Sequence, residues 1–178
     1  AYCSINHDTA RQYFALIDSL VKYHQLEDLK TLVYSSWSEY YLKTGDLSTS
    51  IRYADTAISI GSKEGRDSLT SRAYNLKGES LRLQGNYEKA STNYFKAIEI
   101  WPNDLQFEAS IKTNLSLVWL AQGNYNKARN YLNEAKSIFS DFGDEHLVAN
   151  CHNNLAMVAY YEDDYELAAN ELKAALII

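Results

Sequence analysis

The chain has 178 residues, 46% of them hydrophobic and 22% charged, with a formal net charge of −6 and one proline. That acidity disfavours any role built on neutralising phosphate charge, so direct nucleic-acid binding by this segment is not expected. No apolar run reaches the roughly 18 to 20 residues of a membrane span, and the opening AYCSINHDTA has neither the basic nor the apolar part of a signal peptide.

Hardly any stretch alternates with a period of two, so helices are expected throughout. A leading helix over residues 8–24 starts with Asp8 as a capping residue and carries Ala10, Phe14 and Ile17 on one face. It reads as half of a repeat, or as a cap whose apolar face packs on the next helices. A helical pair over 26–60 follows, with Val33, Trp37, Tyr40 and Tyr41 at core positions and a polar, glycine-bearing linker, GSKEGRDS, after it. The next pair, 69–101, has Gly78 and Gly85 seven apart, then Tyr87, Ala90, Tyr94 and Ala97. Gly85 can take the positive φ that ends one helix, Asn86 can cap the next, and Pro102 stops it. Its first helix is irregular, because Lys77 and Ser80 fall where the neighbouring pairs have apolar residues.

In the pair over 104–140, Ile111, Leu115, Val118 and Trp119 form an amphipathic stripe. Forty residues later, within 144–178, Cys151, Leu155, Val158 and Ala159 match it. Cys151 therefore reads as a small buried hydrophobe. Cys3 is far from it in sequence, so no disulfide framework is expected, and a reducing, cytoplasmic setting fits, with an extracytoplasmic sensor domain as the alternative. The ending AALII leaves an apolar helix uncovered. The segment is expected to continue into a longer protein, or to self-associate through that helix.

The pairs are copies of one unit. Ala10, Ser50, Ala90, Ala128 and Ala168 recur at intervals of 40, 40, 38 and 40 residues, with Ile17, Ala57, Ala97, Ala135 and Ala175 seven further on. The turn between helices reads Gly45-Asp46, Gly85-Asn86, Gly123-Asn124 and Asp163-Asp164, followed by Leu47, Tyr87, Tyr125 and Tyr165. On these residues the chain resembles the tetratricopeptide repeat family over nearly its whole length. It is similar to the long-repeat variety of kinesin light chains, polarity adaptors and bacterial signalling regulators. The resemblance implies an all-α fold: a right-handed α-solenoid of antiparallel hairpins in one domain, with about four repeats, a leading half-repeat and about nine helices. In that packing the tyrosines fill wedges between helices.

No chemistry of catalysis is evident. His7, His24, His146 and His152 show neither the i, i+4 pairing of a helical zinc site nor a nearby cysteine pair. No nucleophile elbow or glycine-rich phosphate loop occurs. No enzyme activity, metal or cofactor is expected.

The resemblance implies that first helices line a concave surface. Asn114 and Asn154, 40 residues apart, each stand one place before the core stripe and so would face that groove. An amide offers both a donor and an acceptor, which matches the N–H and C=O of an extended peptide; the same pair could instead bond across neighbouring helices. Earlier repeats have Ser36 and Leu76 in that column, with Asn75 one place away. Helical spacing adds Leu117, Ala121, Asn150, Met157 and Tyr161 as groove neighbours, and the first two repeats add a mixed-sign patch of Glu39, Lys43, Arg72, Glu79 and Arg82. Arg72, Asn75, Asn114, Leu117, Asn150, Asn154, Met157 and Tyr161 are the expected peptide-binding set. The ladder is similar to those of kinesin light chains and polarity adaptors. The family's clamp for chaperone carboxylates is not matched, since Ser35 and Glu39 stand where its first basic and amide residues fall. The partner is thus expected to be a protein, peptide or helix. The alternative is a sensor or regulatory domain of a bacterial signalling or transcription regulator that binds a ligand or self-associates.

Overall fold

Small residues one or two turns apart let helices lie close, and the second helix of each pair uses them in that way. The computed structural model describes residues 7–23 and 29–177. Among these it has nine helices and no strand: α1 (His7–Tyr23), α2 (Lys30–Thr44), α3 (Leu47–Glu64), α4 (Asp67–Leu83), α5 (Tyr87–Ile100), α6 (Leu105–Ala121), α7 (Tyr125–Asp141), α8 (Glu145–Tyr161) and α9 (Tyr165–Ile177). The expected all-α solenoid of hairpins is observed: α2–α3, α4–α5, α6–α7 and α8–α9 each pack as a pair.

One device closes all four hairpins. A residue with positive φ ends the first helix, and the next side chain caps the second: Gly85 has φ 78°, and Asn86 accepts a bond from the Lys89 N–H. Asp46, Asn124 and Asp164 accept from Thr49, Lys127 and Leu167 in the same way. Asp163 does the work of the missing glycine in the last turn, at φ 62°. Such a cap satisfies a backbone donor that the helix itself leaves open.

The repeated columns form the core. Ala90, Tyr94 and Ala97 of α5 are fully buried against Ile111, Leu115 and Val118 of α6. Ala128, Leu132 and Ala135 of α7 repeat the arrangement with Cys151, Leu155 and Val158 of α8. Each large apolar side chain enclosed this way contributes about 1.5–3 kcal/mol. In α9 the pattern has no neighbour on its outer side, and Leu172 is exposed. In the first hairpin Trp37, Tyr41 and Tyr53 stack with ring centres 5.5–5.6 Å apart.

Two elements differ from expectation. The first pair does not end at residue 60, nor does GSKEGRDS form a linker: α3 continues to Glu64, and only Gly65 and Arg66 join it to α4. Packing explains this, because Gly61 is buried where α3 meets Thr31 of α2 and Thr70 of α4. In α1, Ile17 is exposed, and Val21 is the residue that packs on Val33 and Trp37. Cys3, His24 and the expected boundary at Leu26 lie outside the described residues, as do the side chains of Asp8, Ala10 and Phe14.

The irregular first helix of the second pair is also accounted for. Ser80 is buried in a polar seam, with its hydroxyl 2.8 Å from that of Ser50, which in turn lies 3.1 Å from Ser38. Lys77 reaches back to Asp55 of α3 at 2.6 Å. Finally, consecutive first helices touch, α2 with α4, α4 with α6 and α6 with α8, whereas no two second helices do among the described residues. In a curved stack the elements in mutual contact lie on the shorter side, so α2, α4, α6 and α8 line the inner, concave face.

Candidate functional site

Three depressions run along that inner face. One, of about 540 Å³, lies between α2, α4 and the start of α6 and is lined by Glu39, Arg72, Asn75, Leu76, Leu83 and Phe107 among others. A small one of about 180 Å³ lies between the N-terminal halves of α6 and α8, with Asn114, Leu147 and Asn150 beside Phe139. The largest, about 630 Å³, lies where the ends of α4, α6 and α8 converge. It holds Leu117, Leu120, Asn154, Met157 and Tyr161, with Arg82, Tyr87 and Tyr125 at its α4 and turn sides.

The eight residues expected from the sequence fall in these three depressions: Arg72 and Asn75 in the first, Asn114 and Asn150 in the second, Leu117, Asn154, Met157 and Tyr161 in the third. The asparagines do not form a single column. Asn114 Nδ2 donates to Asn75 Oδ1 at 3.1 Å, bridging α6 and α4, while Asn154 Nδ2 donates to Asn150 Oδ1 at 3.0 Å within α8. Each pair uses one donor and one acceptor. An amide group carries two N–H donors and two acceptor positions, so both pairs keep capacity for a main chain laid across them. Nothing bonds Asn114 to Asn154.

Charge on this face is mostly balanced internally. Glu39 receives Lys43 and Arg72, each at 2.7 Å. The Lys43 hydrogen bond is the main reason its carboxyl sits below the usual range; partial burial opposes the shift, and Arg72 reinforces it. Lys112, on the α7 side of α6, lies between Glu134 and Glu108; these hold its ammonium above the usual range in spite of partial burial. On the α9 side of α8, His152 meets Glu171 at 2.5 Å. Among the described residues no group of three or more His, Cys, Asp or Glu could hold a metal. Cys151 is a buried free cysteine, and that burial raises its thiol above the usual range.

A tetratricopeptide repeat model matches residues 107–176, and a second model of the same repeat matches 71–104. Together they span more than half of the sequence. The chain belongs to the tetratricopeptide repeat family.

Solved structures agree on the repeat fold. BtubC from P. vanneervenii is 19% identical with a TM-score of 0.77, over 97% of this chain and 76% of that one. The apo form of RapI is 20% identical with a TM-score of 0.82, over 96% of this chain and 63% of its own. A signal transduction ATPase with numerous domains from Pyrococcus horikoshii, which has a tetratricopeptide repeat sensor, is 23% identical with a TM-score of 0.76. There the match covers 94% of this chain and 27% of the other. No curated protein matches the sequence significantly. This tetratricopeptide repeat chain thus spans less than two thirds of two of those three neighbours.

Sequence reading of the repeat residues did not find Leu120, nor that Tyr87 and Tyr125 line the largest depression. Both tyrosines were legible as anchors after the turn. That column opens on the inner face where one first helix ends and the next approaches, which is the signal that could have assigned them.

Proposed function

We propose that this chain is a non-catalytic protein-interaction module that takes an extended peptide or a partner helix along the inner face of its repeats. The observation that carries the reading is the row of three depressions on α4, α6 and α8, joined by asparagine pairs that retain unused donors and acceptors. Affinity would come from many modest contacts, with Arg72, Asn75, Asn114 and Asn150 holding backbone while Leu117, Asn154, Met157 and Tyr161 receive side chains.

Site-specific photo-crosslinking tests this. A crosslinker at Ser110 on the inner face and one at Thr56 on α3 are exposed separately to cell lysate. Products formed from Ser110 and not from Thr56, and weakened when Asn114 and Asn154 are both alanine in a chain of unchanged melting temperature, support the module. Equal products from both positions would sink it.

A second reading, a sensor or regulatory repeat domain that binds a ligand or self-associates, is favoured by two neighbours. One is the tetratricopeptide repeat sensor of the Pyrococcus horikoshii ATPase; the other is a Rap protein complexed with competence and sporulation factor, 19% identical with a TM-score of 0.81 over 96% of this chain and 50% of that one. Self-association would use α9, whose Leu176 and Ile177 are exposed. Light scattering at high concentration checks it, since a clean monomer removes that option.

A further inference from the structure

The largest depression differs from its neighbours in one respect: its cation has no anion. Elsewhere on the first helices Lys43 and Arg72 share Glu39, Lys77 holds Asp55, and Lys112 holds Glu108 and Glu134. Among the described residues no carboxylate pairs with Arg82. Its Nε is buried without a hydrogen bond, close to the enclosed Tyr94 hydroxyl, which also lacks one of normal geometry. Partly burying a guanidinium without an anion has a desolvation cost that the neutral Tyr94 hydroxyl beside it offsets only in part, and a carboxylate brought from outside would offset more of it.

The rest of the depression is suited to something apolar. Leu117, Leu120 and Met157 form one wall; Met157 is 39% exposed and Tyr161 56%, a high exposure for side chains of that type. A space of about 630 Å³ accommodates a large side chain together with a carboxylate group. Asn154 in the same wall supplies an amide donor.

We propose that this depression binds a peptide segment presenting one carboxylate beside a large apolar side chain, the carboxylate on Arg82 and the apolar group against Leu117, Leu120 and Met157. The inference rests on the inner face being a binding surface. A single carboxylate is specified, not an acidic run: the chain carries a net charge of −6, and Glu79 lies one turn before Arg82. Further negative charge on the ligand is therefore repelled.

The probe is a random dodecapeptide display library, selected in parallel on the intact chain and on Arg82→Met, which keeps the apolar stem. The expected result is enrichment of one Asp or Glu next to Leu, Met, Phe or Trp on the intact chain, lost on Arg82→Met. Selected peptides are then synthesised with the acid changed to Asn or Gln, and separately with an amidated C-terminus, and titrated by fluorescence anisotropy. Removing the engaged carboxylate is expected to weaken binding about tenfold or more, and the arm that does so identifies a side-chain or a terminal source. These peptides are read on the intact chain, so the test holds even where Arg82→Met is poorly folded. Selected peptides without an acidic preference, or neutral analogues that bind as well, overturn the inference while Ser110 crosslinks leave the groove standing. No selection above background, with Ser110 crosslinks present, overturns it too. Loss of the Ser110 crosslinks themselves removes the groove reading.

Discussion

At Gly61 of α3, side chains of α2 and α4 close over the backbone. A Cβ built there would collide with Thr70 Oγ1 and lie 2.9 Å from Thr31 Cγ2, so Gly61→Ala must turn or displace those two threonine side chains, or the helices that carry them. We expect a loss of about 1–3 kcal/mol in urea unfolding, partly recovered by adding Thr70→Ala. The sequence concealed this. In a polar stretch with two glycines Gly61 looked like linker, because closeness is a property of the facing helices and not of local pattern. Asp163 is the opposite case. Its turn was legible from the recurring Gly-Asp/Asn pair, and the strain follows from it, since an Asp at φ 62° stands where three other turns have glycine. Asp163→Gly is expected to raise stability by roughly 0.5–1 kcal/mol, read as a higher melting temperature, although it removes the 2.9 Å bond from Tyr165. Glu39 carries a pH prediction. Its folded-state pKa is depressed, so its ion pairs stabilise above the ordinary glutamate range and are lost as pH falls through the lower folded value. Carbon NMR should place its midpoint below that range, and Lys43→Met should raise it more than Arg72→Met does.

At the scale of elements, the starts of the second helices were legible, because a cap is a local bond between neighbours in sequence, whereas α2 and α4 begin without a side-chain cap. Asp104 and Asp144 cap α6 and α8 by accepting from Phe107 and Leu147 at 2.9 and 3.2 Å. Replacing Asp104 by alanine should cost about 1 kcal/mol in denaturant unfolding. A negligible loss would mean that packing alone fixes the start of α6. What the sequence could not disclose was how α4 settles between α2, α3 and α5. Ser80 looked misplaced only while its partners were unknown; bonded to Ser50, it is part of a seam that small polar residues make narrow enough for α2 and α4 to touch. The candidate site divides the same way. The asparagines were found by period, and their pairing into Asn75–Asn114 and Asn150–Asn154 was not, because it depends on side-chain direction across and along helices.

For the whole molecule, each hairpin contacts its neighbours alone among the described residues, so stability is distributed along a line and not around a centre. Hydrogen exchange should reflect that. Amides of α4 to α7, flanked on both sides, are expected to exchange slowest. Those of α1, which touches α2 alone among the described residues, and of α9 should exchange first. Uniform protection from α1 to α9 would contradict the linear picture.

The lack of contact between successive second helices gives the array the mechanics of a leaf spring. The outer leaves do not touch one another among the described residues, each being held by the next first helix. A bend would be taken up where α3 meets α4, α5 meets α6 and α7 meets α8, and the inner row would act as the flexing strip. A guest bound on that strip would set the bend of the entire rod, and the ends would report its arrival by moving, a change that a distance probe across α2 and α9 would read directly.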